Sequence, residues 1–491
     1  MRKVIEKQLK IWQTDIANIQ IDIDCRDEIP QLLLGLQFIY SNKQIRHQVF
    51  QILKKITPKD VDADKGRPGM DLWKILVLGT LRLNCNWDYD KVHDIANEHN
   101  KVRQFLGHTI LEFDDQRYGL QTIKDNISLL TPELLDEINP VVVKAGHSLI
   151  RKNSDAVELM GRCDSFVVQT DVHYPTDINL LLDAIRKIVF LIGRLCDDLG
   201  VTEWRQYRHI FKKIKKQFDF VRRLKHSSSK NEQKKAQRER LIIQAHRQYV
   251  DMVETYVLRA KESIAVLNTM GICSVARIMT IENYLAHADR QIDQIRRRVL
   301  DGETIPHNEK VFSIFEEHTE WISKGKAGVP QELGLSVCVL EDQYGFILHH
   351  HVMEKQKDVD IAVPVVAEAK RKFAALSRCS FDKGFYSRAN RNNLQKIIDC
   401  VVLPKKGKLS KVEKQIEFSE EFIDARHKHA AVESAINALE NHGLDRCRDH
   451  GIIGFKRYVA LAVLARNIQL LGAKIRQRSL ERRRQLERLA A

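Results

Sequence analysis

From residue 183 to residue 302 the chain contains no proline, few glycines and no strand-like alternation of apolar and polar residues. A stretch this long, rich in Leu, Ile, Lys, Arg, Gln and Glu, can bury its apolar side chains only as long antiparallel helices. Its middle is cationic, with Arg205, Arg208, Lys212, Lys213, Lys215, Lys216, Arg222, Arg223 and Lys225, and HSSSKNEQ (226–233) is the predicted loop tip. A charge run on a helix is usually a solvated face. The nearly single sign here predicts instead a phosphate-binding arm, with Lys212, Lys213, Lys215 and Lys216 as contacts.

The remaining residues have to supply other cores. At 491 residues the chain is too long for one ordinary core, and 43% hydrophobic residues are enough for several. A net charge of +15 favours a polyanionic partner. The nine cysteines are scattered, odd in number and without a CxxC pair, which argues against a disulfide framework or zinc knuckle and for a reducing compartment. The first residues, MRKVIEKQLKIW, lack a long apolar run, and LLLDAIRKIVFLIGRLC is interrupted by Asp183, Arg186, Lys187 and Arg194. The expectation is a soluble cytoplasmic protein with no membrane partner and no small-molecule substrate.

Residues 1–150 read as helical. QLLLGLQFIY and IRHQVFQILKKI carry apolar residues at helical spacing, and Asp71, then Asp88 or Asp90, are candidate N-caps of two further helices. Two helices joined by a tight turn and followed by a third suit a DNA-reading module, with a plain bundle as the alternative. A helix from Pro132 is expected to break at Pro140.

Strand character begins at RCDSFVVQTDVHYPTD (162–177), where Phe166, Val167, Val168 and Thr170 surround Asp164. An acid on an apolar strand is costly to bury unless it is paired or bound to a metal. Asp171 reads as a turn residue, and Thr176 or Asp177 caps the next helix, with Asp177 preferred. LSVCVL and GFILHHHV flank EDQYG as a hairpin. His349, His350 and His351 alternate across that strand and cannot all ligate one metal. A second strand ends at Asp382, with Gly384 turning the chain into a helix, and CVVLPK is a further strand. In AVESAINALENHG, the seam Val432, Ile436, Leu439 runs beside a polar stripe of Glu433, Asn437 and Glu440. Arg426, His427, Lys428 and His429 precede it, and Arg446 and Arg448 follow.

Carboxylates from a sheet and a covering helix can hold two hard divalent cations about 4 Å apart, a geometry suited to in-line attack on a phosphodiester. The motifs CDSFVVQTDVHYPTD, SFDKGFYS and AVESAINALENHGLDRCRDHGIIGFKRYVALAVLARN, with GKAGVPQELG and GRPGMDLWKILVLGTLR, resemble the DDE transposases of bacterial insertion sequences, closest to the ISNCY-type group. The resemblance spans about residues 65 to 472. It implies a mixed α/β (α+β) fold with an RNase H-like core. Its catalytic and metal-binding acids would be Asp164, Asp382 and Glu433, with Mg²⁺ in a two-metal site and Mn²⁺ as a substitute.

The expected partners are terminal inverted-repeat DNA and target DNA, in a homodimer acting in the bacterial cytoplasm. Lys324, Lys326, Lys383, Arg426, Lys428, Arg446 and Arg448 join the arm lysines as DNA contacts. Where related enzymes carry tyrosine, arginine and lysine around the glutamate, this chain has Arg426, His429 and Glu440. The domain expectation is a helical DNA-binding domain at 1–150, a catalytic domain at 151–472 interrupted by the basic insertion at 183–302, and a basic helical tail at 473–491. The alternatives are a catalytically silent DNA-binding relative and a nuclease of the same fold that cuts without joining.

Overall fold

The computed structural model describes residues 2–6, 9, 12–58, 69–109, 114–150, 158–269, 275–323 and 331–490. They form two compact units, one of Met1–Asp171 with Glu320–Ala491, the other of Val172–Thr319.

The first unit begins with helices α1 (Glu28–Ser41), α2 (Lys43–Lys54), α3 (Leu72–Asn84), α4 (Tyr89–Glu98), α5 (Asn100–Phe105), α6 (Leu120–Ile127) and α7 (Pro132–Ile150). Asp88 caps α4 by accepting from Lys91 N–H, whereas the Asp71 side chain makes no cap bond to α3 and pairs with Lys74 at 3.1 Å. The expected break at Pro140 does not occur, and α7 runs through it. Proline removes one ladder bond there, while the neighbouring Asn139 ties the helix down. Its Nδ2 donates to Ile347 O at 3.0 Å, and its Oδ1 accepts from Asn467 Nδ2 at 2.7 Å.

The strand β1 (Leu159–Thr170) follows, and the chain returns to this unit as β2 (Glu320–Ser323). The Asp342–Gly345 turn, with Gly345 at φ +85°, joins β3 (Gln331–Glu341) to β4 (Ile347–Val352).

The second unit holds α8 (Asp177–Leu199), α9 (Tyr207–Arg223), α10 (Glu232–Thr269) and α11 (Val275–Ile295). The cap of α8 is Thr176, not Asp177. The threonine hydroxyl accepts from Asn179 N–H, and Asp177, in the first turn, pairs with Arg298 at 2.9 Å. These helices bury Ile185, Ile192, Trp204, Ile214, Tyr249, Val253 and Ile281 in a core of their own.

In the first unit the chain continues as α12 (Asp358–Lys372), β5 (Leu376–Phe381), α13 (Arg388–Leu394), β6 (Cys400–Val402), α14 (Lys411–Glu417), α15 (Glu420–His429), α16 (Ala431–Leu439), β7 (Arg446–Cys447) and α17 (Gly451–Ala490). The sheet runs β2-β3-β1-β5-β6, with β4 on β3 and the short β7 on the far end of β1. The β1–β3 and β3–β4 pairs are antiparallel, and β1–β5 and β5–β6 are parallel.

Alternation along β1 feeds both faces. Phe166 and Val168 share a core with α3, α16 and α17, whereas Cys163 packs on the opposite side with Ile361, Val365 and Phe381. The apolar part of α17 is the axis of the first core, and α1 crosses it so closely that a Cβ on Gly35 would lie 2.2 Å from the Ile468 carbonyl oxygen. Among the described residues, α17 is the one helix long and apolar enough to cross a membrane, and 72% of that window is buried inside the protein.

Candidate active site

The parallel register between β1 and β5 brings the first two acids together. Cys163 pairs with Phe381, so the next residues, Asp164 and Asp382, lie side by side at the carboxyl end of that pairing. Adjacent strands are about 4.8 Å apart. The strand ends at Phe381, and Asp382 is exposed at the head of a single 3-10 turn, Lys383–Phe385, with no side-chain cap bond. Its carboxylate is therefore not committed to the backbone.

Glu433 arrives from the face that holds Phe166 and Val168. Val432, Ala435 and Leu439 of α16 are buried, Ile436 is half-buried, and the helix packs on β1. Fully burying a valine or leucine stabilises by about 1.5–3 kcal/mol each, so the seam fixes the helix and leaves Glu433 exposed on its other side. A turn of π-helix, Glu440–Leu444, follows and is kinked at Gly443 with φ +96°, a conformation that suits glycine.

Electrostatics report the convergence. Burial pushes the Asp164 carboxyl up to about 6, Ser165 N–H opposes this by donating at 2.8 Å, and the charges of Asp382, Asp358 and Glu433 raise it further. The three acids thus share one field. Asp358 is a fourth member that sequence reasoning missed. It opens α12 on the opposite face, where its Oδ1 accepts from Ser165 Oγ at 2.6 Å. A Cβ on Gly384 would lie 2.8 Å from Asp358 Oδ2, so Asp358 also lies close against the turn after Asp382. The available signal was a helix starting six residues after β4, but nothing in its spelling points at Ser165.

The donor set is all carboxylate oxygen, which suits a hard divalent cation, and the mutual repulsion at Asp164 is what such a cation would relieve. Among the described residues, no group of three or more His, Cys, Asp or Glu side chains is gathered closely enough to hold an ion as it stands.

The predicted DNA contacts are spread more widely. Lys383 is exposed next to Asp382, and Arg426 and Lys428 are exposed in the last turn of α15, with Lys428 paired to Asp424 at 2.7 Å. Arg446 pairs in register with Gln169, five residues along β1 from Asp164 and so about 16 Å away. Arg448 donates to Asn86 Oδ1 at 3.0 Å. Lys324 and Lys326, and most of GKAGVPQELG, lie outside the described residues. In the second unit Lys212, Lys213, Lys215 and Lys216 are exposed on α9, opposite the buried Ile210, Ile214 and Phe218.

No curated protein and no solved structure matches the chain. Residues 293–468, about a third of the chain, match the family model described as a transposase DDE domain. That span takes in Asp382 and Glu433, while Asp164 is joined to it through the sheet. The part of the chain carrying the second and third acids is therefore similar to a transposase DDE domain, whose RNase H-like core is the mixed, helix-flanked sheet seen here.

Proposed function

We propose that this protein is an insertion-sequence transposase of the ISNCY-type group that binds the inverted-repeat ends of its element, cuts them and joins them to target DNA. The observation that carries the reading is the meeting of Asp164, Asp382 and Glu433 in one field, from two adjacent strands and a covering helix. The similarity of residues 293–468 to a transposase DDE domain supports it.

Asp164, Asp382 and Glu433 would hold Mg²⁺, or Mn²⁺ in its place. When bound, a pair of such ions supplies Lewis acidity to the phosphoryl group and acidity to the attacking oxygen. The protein's own share is positioning. β1 and β5 fix two carboxylates by register, α16 brings the third by its apolar seam, and Ser165 with Asp358 steadies the strand around the first. Lys383, Arg426 and Lys428 would neutralise backbone phosphates beside the acids, and the α9 lysines would do so along the flanking duplex. Arg446 and Arg448 would contact DNA farther from the cut. Pairing two ends implies a homodimer, working on chromosomal DNA in a bacterial cytoplasm.

Asp164→Ala should leave binding to end DNA intact and abolish strand cleavage; retained cleavage would remove Asp164 from the site. Joined products flanked by short target duplications separate a transposase from a nuclease of the same fold. A wild-type protein that shifts end DNA yet never nicks it in Mg²⁺ or Mn²⁺ would instead be a silent DNA-binding relative.

A further inference from the structure

Between the second and third acids stands His429, the last residue of α15, four residues before Glu433. It is half-buried, and its Nδ1 lies 3.0 Å from Ser380 Oγ on β5, two residues before Asp382. The same hydroxyl lies 3.4 Å from the Gly161 carbonyl oxygen on β1. A serine hydroxyl has one proton to give, and a carbonyl can only accept. Both contacts are satisfied together in one arrangement: Ser380 donates to Gly161 O, and His429 Nδ1–H donates to Ser380 Oγ. In the neutral imidazole this leaves Nε2 with its lone pair, and among the described residues Nε2 has no hydrogen-bond partner in the protein.

The charged groups around the ring come from every side of the site. Asp382 follows β5, Glu433 is on α16, and Arg162 is on β1, where it pairs with Glu341 at 2.8 Å. Burial is the leading influence on the ring and holds it below the usual imidazole value against the pull of Asp382 and Glu433, with Arg162 acting in the same direction as burial. The neutral form is therefore the resting one.

We propose that His429 is a catalytic residue whose Nε2 accepts the proton of the attacking oxygen, water during cleavage and a DNA 3′-hydroxyl during joining. The inference rests on the transposase reading above and adds a proton acceptor to it. As the new O–P bond forms, the proton of the attacking oxygen passes to Nε2. The bond from phosphorus to the leaving 3′ oxygen breaks with its electron pair, and that oxygen is reprotonated from the imidazolium or solvent, returning the ring to neutral. No oxidant or further reactant is needed. Gly161 and Ser380 act as positioning groups, because they hold the tautomer that presents a bare Nε2. A purely structural His429 would serve only as a tether between α15 and β5.

The test uses the full chain, Mg²⁺ and linear duplexes carrying the DNA that flanks its gene. His429→Ala should slow cleavage about 10²–10⁴-fold, the usual worth of a positioned proton acceptor, with duplex binding unchanged within about twofold. Free imidazole in the buffer should restore cleavage to that variant at least about tenfold, in proportion to its unprotonated fraction. His429→Gln keeps a hydrogen-bonding side chain at the tether and should be as slow as the alanine variant, which guards against a loss caused by misfolding. A glutamine variant that cuts at the wild-type rate, or an alanine variant that imidazole does not revive, would overturn the proposal while the transposase reading stands. Wild-type protein that never cuts in Mg²⁺ or Mn²⁺ would overturn both.

Discussion

The two units assemble charge by opposite means. In the sheet unit, acids 218 residues apart at Asp164 and Asp382 become neighbours because two parallel strands share a register, and a helix packed by its apolar seam adds Glu433. In the helical unit, Lys212, Lys213, Lys215 and Lys216 gather within five residues because a helix repeats every 3.6 residues and Ile210, Ile214 and Phe218 face inward. Asp164 lies where burial and the charges of its neighbours act on it, and the lysines stay in water. A concentrated, partly buried charge set can be specific about geometry. A solvated stripe can follow any phosphate backbone, at an energy that salt dilutes.

The comparison is tested most severely at the acids. Asp382→Asn and Glu433→Gln should each slow cleavage by about a thousandfold or more, and the double variant should be little worse than either, since ligands of one site act as a unit. Gel assays of nicked product would check this; a glutamine at 433 with near-normal cleavage would detach the helix from the chemistry.

Next in size is the docking of that helix. Leu439→Ala should cost about 2–5 kcal/mol in urea unfolding and slow cleavage without altering DNA affinity.

A third measurement uses the repulsion itself. The Asp164 carboxyl is raised by folding to about 6, so it contributes stability below the unfolded carboxylate range that is lost as pH rises through about 6. Asp164→Asn should therefore stabilise the metal-free protein by up to about 3 kcal/mol at pH 7.5, and the gain should vanish below about pH 4. Thermal melts across that range would show it. Destabilisation at neutral pH would contradict the shared field.

The smallest effect belongs to the lysines. Neutralising Lys212, Lys213, Lys215 and Lys216 should flatten the log–log dependence of DNA affinity on salt by up to about 0.9 per lysine, leaving cleavage of saturated DNA unchanged. An unchanged slope would make α9 a solvated face.

Much of this was legible in the spelling, for physical reasons. Helical spacing marks the seam of α16 and the cationic face of α9, and β-branched runs with a turn mark β3 and β4. The order strand acid, strand-end acid, helix acid survives in one dimension. Register does not, and neither does anything decided by distant packing. Asp358 meets Ser165 across 193 residues, so a local reading sees only a helix start. Pro140 looks like a breaker until Asn139 is seen bonded both to the Ile347 carbonyl at the start of β4 and to Asn467 of α17. Thr176 outcompetes Asp177 for the cap because the threonine hydroxyl bonds Asn179 N–H while Asp177 is engaged by Arg298.

The helical unit comes between β1 and the rest of its sheet in the order of the chain, with a consequence during synthesis. β1 ends at Thr170 and its partner β3 starts at Gln331, with Glu433 later still. At about 5–20 residues per second, the strand bearing the first acid waits roughly 8 to 32 seconds for its first neighbour, and longer for Glu433. A chain still on the ribosome therefore has the exposed lysines of α9 before it has a complete set of acids. Premature release would leave the charge of the helical unit without the carboxylates of the sheet unit.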